Sequence, residues 1–449
     1  MEQRGVKMAV IDKFNGNVGD LERDKFALGG NNDVRVKTLT EFGGAGTTDA
    51  FGKLRISSPH TEFDAKQIFD NLPLLYDDVE ETGSGTSSTW SGDLANTTLA
   101  VSLNTAGKRT RQTFRSFNYQ PGKSQLIVMT GAFVSQTDNL TGITTGIGLY
   151  NDDNGIFFEV EEGVLKAVIR SSTSGSVVNT KYSQANWNGD TLDGSGDPDT
   201  NPSGILLDLT KDQLMFVQFE WLGIGKVYWG FYFDGVPKIV HTADHVNINV
   251  GPYMTTPNLP IRYQIENDGT GAATSMRCAC QTVISEGAAG HQDTGIVRTI
   301  SNGNTQVDAN VGGTVYALVG VRLKSTHLGA TVRPITVSVM ALTNDNIEWL
   351  LLINPSVAGD PSYANVTNSA LQSFNGATAN TVTGGTAVAG GYISASKDGG
   401  AASSELESEL VIGASIAGVS DTLVLAARPI GSGTLNADII GSLTVRELA

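Results

Sequence analysis

The segment QLMFVQFEWLGIGKVYWGFYFDGVPKIVHTAD, residues 213–244, is rich in β-branched and aromatic residues and is broken by short turn signals. In an extended VYWGFYF, Trp229 and Phe231 fall on one side, and Tyr228, Gly230 and Tyr232 on the other, because successive strand residues alternate. Asp234 and Gly235 form the preferred pair for a two-residue hairpin turn. Strand, turn and strand in this rhythm, with almost no 3.6-residue period, predict an antiparallel sandwich.

The same texture extends in both directions. SQLIVMTGAF, TTGIGLYNDDNGIFFEVEEGVLKAVIRS and SMRCACQTVI read as further strands, with hairpin signals at 151–155 and 161–163. They place a central sandwich over 111–286. TVYALVGVRL, PITVSVMAL, EWLLLIN, TLVLAARPI and GSLTVREL predict a second β-sandwich over 287–449. NGATANTVTGGTAVAGGYISASKDGGAASS reads as a low-complexity connection, and SEGAAGHQDTG as the hinge between sandwiches. Residues 1–48 are polar and without period, which predicts an extended anchoring arm. Residues 49–110 are expected to form a docking segment on the sandwich, although TTLAVSLN within it alternates as a half-buried strand does.

With 449 residues, two or three domains are expected, and 53 glycines with only 17% charged residues suit short strands and tight turns. The net charge of −16 argues against nucleic acid or an anionic membrane as the main partner, since a phosphate-binding surface needs a basic stripe. The longest basic cluster is GKRTRQ at 107–112. No secretory leader and no run of about 18 apolar residues are seen, so folding in a reducing cytoplasm without membrane insertion is expected. Cys278 and Cys280 lie two apart, which on a regular strand puts two reduced thiols on one face.

Few motifs carry chemistry. His60, beside Pro59, reads as a turn or surface histidine, and His241 and His245 are spaced for a helix in a segment that reads as strand. In NGDTLDGSGDPDTNPSG, Asp190, Asp193, Asp197 and Asp199 are a weak calcium candidate without EF-hand spacing, and an unligated surface loop is the preferred reading. No nucleophile elbow, Walker loop or dinucleotide fingerprint occurs, so no cofactor is expected, and no carboxylate pair stands out for glycoside hydrolysis. Tyr228, Trp229 and Tyr232 are candidates for glycan contact, against the alternative that they form an aromatic core.

Several blocks together resemble a family of virion structural proteins of tailed bacteriophages, with relatives in some large viruses. They are TDAFGKLRISSPHTEFDAKQIFDN (48–71), FNYQPGKSQLIVMTG, DLTKDQLMFVQFEWLGIGKVYWGF, YMTTPNLPIRYQIEN, LINPSVAG, ANTVTGG and GSLTVREL. The resemblance runs from about Asp49 to Leu448. It implies an all-β, non-enzymatic virion component with a concanavalin-like jelly roll in the middle, and it carries no catalytic residues. It further implies an exterior appendage, a head or neck fibre or capsid decoration, docked on other virion proteins through its N-terminal arm. A homo-oligomer, with a trimer as the guess, and assembly in the host bacterial cytoplasm are expected. Phe51, Leu54, Phe63 and Phe69 would then dock the arm against a sandwich or a sister subunit, with Arg55, Asp64 and Lys66 satisfying one another or backbone groups where water is excluded. A carbohydrate-binding adhesin recognising host glycan is the alternative, and a glycan-degrading enzyme a third possibility.

Overall fold

The computed structural model describes residues 58–287, 295–394, 400–405 and 410–448. The arm 1–48, the docking candidates Phe51, Leu54 and Arg55, and most of the hinge segment lie outside the described residues. From Pro59 onward the chain forms one compact unit.

The first sandwich opens with β1 (His60–Lys66), β2 (Tyr76–Gly83), β3 (Thr86–Ser91), β4 (Asn96–Val101) and β5 (Gly107–Thr113). Next come β6 (Gln125–Ala132), β7 (Ile143–Tyr150), β8 (Gly155–Glu161), β9 (Val164–Ser171) and β10 (Val178–Ser183). β11 (Gln213–Phe219), β12 (Val227–Phe233), β13 (Val236–Ala243), β14 (Ile261–Asn267) and β15 (Thr274–Ser285) complete it. One sheet has eight strands in the order β13-β12-β11-β6-β15-β4-β3, with β1 also on β15. The other has seven, β10-β9-β8-β7-β14-β5-β2. This is a jelly-roll sandwich of antiparallel sheets.

The expected boundary at 111 moves. β2 and β5 are strands of the seven-stranded sheet and β3 and β4 of the eight-stranded one, so 76–113 is part of the sandwich rather than a segment laid on it. Only β1 fits the idea of an added strand.

Turn chemistry fixes the hairpins. Asp234 and Gly235 have φ of 50° and 76°, and Glu162 and Gly163 have 52° and 83°. Both central residues are therefore left-handed, as the type I′ turns that match strand twist require. Between the sheets Met215, Val217, Trp229 and Phe231 face Ile147, Leu149, Ile156 and Phe158, all buried. Phe158 and Phe231 meet across the gap with ring centroids 4.8 Å apart. Burying each such side chain is worth roughly 1.5–3 kcal/mol.

The cysteine expectation is corrected by a bulge. Along β15, Cys278 pairs with Gly131 but Gln281 with Met129, so three steps on one strand match two on the other. The extra residue breaks the alternation, and Cys278 is buried while Cys280 is exposed.

The second sandwich pairs a five-stranded with a six-stranded sheet. Its core includes Leu318, Val337, Val339, Trp349, Leu351, Leu425, Ile439 and Leu443. The glycine-rich run expected as a connection instead contains the strands Val382–Thr383, Thr386–Ile393 and Gly400–Glu405. The two longer ones lie at sheet edges, where one side of the backbone needs no partner and small residues suffice.

The sandwiches meet at the β2 and β5 side. Ala414 N–H donates to Phe114 O at 2.7 Å and Ile416 N–H to Asp77 Oδ2 at 2.7 Å. Gly413 permits this approach, because a Cβ there would collide with the Phe114 carbonyl.

Candidate functional site

The glycan candidates on β12 divide between two environments. Trp229 is 0% exposed, and its indole N–H donates to Phe157 O at 3.3 Å in the opposite sheet. It is a core residue and cannot stack on a sugar, which corrects its assignment. Tyr228 and Tyr232 are half-buried on the outward face of the eight-stranded sheet. Tyr232 leans on Phe216 at 4.9 Å, over Gly230. Around them Leu126, Val128 and Ile284 are half-buried and Leu214 is exposed. An outward antiparallel face is ordinarily polar; this one carries an apolar patch set among Thr130, Gln218 and Thr282.

The docking residues also separate. Phe63 is buried between Tyr76 and Phe117. Asp64 and Lys66 pair at 3.2 Å, but both are largely in solvent, so the expected exclusion of water does not hold for them. Phe69 is 84% exposed and does not pack on the sandwich; it lies three residues past the end of β1.

In the acidic loop Asp190 is buried and accepts from Asn201 Nδ2 at 2.7 Å and from the Leu192 and Ser203 amides. Asp193 and Asp197 accept from amides two residues ahead, and Asp199 is exposed. These carboxylates tie turns rather than converge. Among the described residues no group of three or more His, Cys, Asp or Glu could hold a metal.

His241, on β13, is buried against Tyr182 at 4.2 Å, and its Nδ1 accepts the Asn188 N–H at 3.3 Å. Burial pulls its pKa down to about 4. Unfolded chains therefore take up the proton first as pH falls, so this contribution to stability is whole above about 6.5 and is lost towards 4. The urea midpoint should fall across that window, and less so in His241→Phe. Equal acid sensitivity of the two proteins would remove His241 as the cause.

The outward face of the seven-stranded sheet is where polar groups gather. The register aligns Lys166, Glu159, Gly146, Gln264 and Thr110 in one row across five strands. The next row carries Lys181, Val168, Phe157, Gly148, Arg262, Gln112 and Asp77. Gly146 and Gly148 carry no side chain on the middle strand; the Tyr150 side chain folds back over Gly146, and Phe157 lies against Gly148. Its ring stacks on Phe157 at 4.2 Å, with the Arg262 and Arg170 guanidinium groups 5.4 and 5.5 Å from its centroid.

Two polar atoms flank Gly146 without partners among the described residues. Tyr150, 1% exposed, has a buried Oη with no hydrogen bond, and the buried Oε1 of Gln264 has none either. Burial raises the Tyr150 pKa, so the phenol keeps its proton and can donate. On the other side, Lys181 bridges Glu159 at 2.5 Å and Glu161 at 2.9 Å, and Lys166 also pairs with Glu161. The hydrogen bonds from Lys166 and Lys181 hold the Glu161 carboxyl below its ordinary range.

Beyond Arg262 the face runs into a cleft of about 160 Å³ at the junction of the sandwiches. Arg262 Nη1 meets Asp152 Oδ1 at 2.5 Å and its Nε donates to Gln112 at 2.7 Å. Burial pushes the Asp152 pKa up, but the Arg262 charge and hydrogen bond outweigh it and hold the carboxylate ionised. The far wall is Ser415, Ile416 and Gly418. Sequence alone did not single out this site, whose residues come from strands more than a hundred positions apart. The one local signal was TGIGLY, where Gly146, Gly148 and Tyr150 alternate onto one face.

No protein-family model matches the chain, and no curated protein matches its sequence. Among solved structures it is similar to an endo-1,3-beta-glucanase from Streptomyces sioyaensis, at 11% identity and TM-score 0.34, covering 53% of this chain and 99% of that one. A legume lectin-like domain from Entamoeba histolytica is similar at 8% identity and TM-score 0.30, covering 49% and 96%. The CBM2 module of the evolved Dit of Lactobacillus casei BL23 phage J-1 is similar at 6% identity and TM-score 0.32, covering 52% and 99%. Nothing about activity rests on these likenesses.

Proposed function

We propose that the protein is a non-enzymatic glycan-binding protein whose site is the outward face of the seven-stranded sheet. The observation that carries this is the unmet hydrogen-bonding capacity of Tyr150 Oη and Gln264 Oε1 around Gly146; both atoms are covered in the free protein, so a saccharide reaches them by lifting the Tyr150 ring off Gly146. Buried polar atoms are ordinarily paired, and saccharide hydroxyls both donate and accept. Binding rather than hydrolysis is favoured because a glycosidase needs one carboxyl held protonated, whereas lysines bridge Glu159 and Glu161 and keep Glu161 ionised.

The test is Tyr150→Phe, followed by thermal unfolding and by calorimetric titration with maltoheptaose and laminariheptaose. Removing an unpaired buried hydroxyl should stabilise the free protein by about 1–3 kcal/mol. The same change should weaken glucan binding by roughly three- to tenfold, the worth of one hydrogen bond. Unchanged affinity would remove Tyr150 from the site, and lower stability would mean its hydroxyl is already partnered.

A second role, as a structural subunit of a tailed-phage particle, is supported by the apolar patch on the outward face of the eight-stranded sheet around Phe216, Tyr228 and Tyr232. It is compatible with the first. A solution mass several times that of the chain, reduced by Leu214→Lys, would favour it; a monomer would count against it.

A further inference from the structure

We propose that two copies of the chain associate about a two-fold axis, each placing Phe69 in the cleft between the sandwiches of the other. The inference is independent of the glycan-binding role and uses a surface other than the Phe216 patch. Phe69 is 84% exposed and Leu74 70%, with Ile68 and Leu75 also exposed on the same connection between β1 and β2. Monomers seldom leave a large apolar patch in water.

The exposure is built in. Before Phe69, Gln67 is buried, its Oε1 accepts from Thr97 Oγ1, and its carbonyl accepts the Trp90 indole N–H at 2.8 Å. After it, Asn71 O accepts from Arg111 Nη2, and Leu72 N–H donates to Asp70 Oδ1 at 2.8 Å. Leu72 O accepts the Leu75 and Tyr76 amides, and the Leu72 side chain packs on the first core. A ring presented from a chain tied down on both sides has little freedom left to lose on binding, as a preorganised anchor requires.

The receiving cleft has a volume of about 420 Å³. Its apolar walls include Leu74, Leu75 and Phe114 from the first sandwich and Ile353, Val388 and Val411 from the second. Clefts of roughly 300–1,000 Å³ hold drug-sized groups, so one aromatic side chain fits. Arg115 also lines it, 5.0 Å from the Phe117 ring centroid, and its guanidinium suits an entering ring. The acids of the walls are engaged: Asp421 by Asn354 and the Gly413 amide, Asp64 by Lys66, and Glu62 by Gln125. Phe69 is not in the wall of its own cleft, yet it stands only five residues before Leu74, which is. Knob and hole therefore share one patch, and a patch complementary to itself closes as a pair. A partner of another kind would have to supply both a hole and a knob at matching places.

Sedimentation equilibrium of the full chain over a range of concentrations should give twice the chain mass. Phe69→Ala removes the knob and Val388→Trp fills the hole, and each should raise the dissociation constant of the pair at least about tenfold, as loss of an anchor aromatic does. An equimolar mixture of the two should associate more tightly than either alone, because one intact knob then meets one intact hole. Leu74→Lys, at an exposed wall position, replaces Val388→Trp if that variant fails to fold. Leu214→Lys should leave the pair intact. A monomer at every concentration would overturn the proposal, as would a dimer that Leu214→Lys breaks and Phe69→Ala does not. A mixture no tighter than its separate components would overturn the reciprocal fit.

Discussion

Trp229→Ala is expected to cost about 3–5 kcal/mol of folding stability, the range for removing a fully buried large aromatic. The side chain reaches from β12 across the interior to the Phe157 carbonyl in the facing sheet, with Tyr182 and His241 packed beside it. Truncation leaves a cavity between the two sheets and removes the indole contact that spans them. Urea denaturation should show the loss as a lower midpoint, with near-UV signals weakened throughout the sandwich. Were Trp229 instead a surface contact for sugar, binding would vanish while the midpoint stayed put. That result would contradict the placement of β12 in the core.

Asp78→Ala should be of similar size. Its carboxylate holds Arg109 at 2.7 Å and Arg111 at 3.1 Å, and accepts from Ser88 Oγ at 2.5 Å. The Arg111 side chain is 1% exposed and lies over the Tyr76 ring at 4.3 Å. Removing the carboxylate strands a buried guanidinium, for which about 3–5 kcal/mol is typical. The comparison is Lys66→Ala, which breaks an ion pair in open solvent and should change stability by no more than roughly 1 kcal/mol. Equal small effects from both would mean that Arg111 moves out to water when its partner is lost.

The sequence made the architecture legible where alternation and turn chemistry agreed. β11 to β13 and β7 to β9 follow from residues that alternate on either side of Asp234–Gly235 and Glu162–Gly163. Parity told that Trp229 and Tyr228 point opposite ways, but which of the two sides meets the other sheet depends on strands far along the chain. The cysteine expectation failed for a related reason. One added residue between Cys278 and Gln281 reverses the faces, and a bulge has no local signature in RCACQ. The candidate site was least legible because Gly146, Glu159 and Gln264 become neighbours only through register. The glycine-rich run at 375–404 was misjudged because composition alone does not tell an edge strand from a loop.

Among the described residues, each sandwich pairs its earliest strand with its latest. β1 at His60–Lys66 lies on β15, more than two hundred residues later, and Ile296–Ser301 lies on Thr434–Leu448. Such distant closures are slow, because the intervening chain must be ordered before the ends can meet. On the ribosome, β1 lacks its described strand partner until β15 has emerged, and the second sandwich lacks the strand that Ile296–Ser301 pairs with until Thr434–Leu448 has been made. During synthesis each half therefore presents unpaired strand edges for as long as its own translation lasts. Yield should respond to growth temperature and to chaperone supply more than the stability of the finished protein suggests.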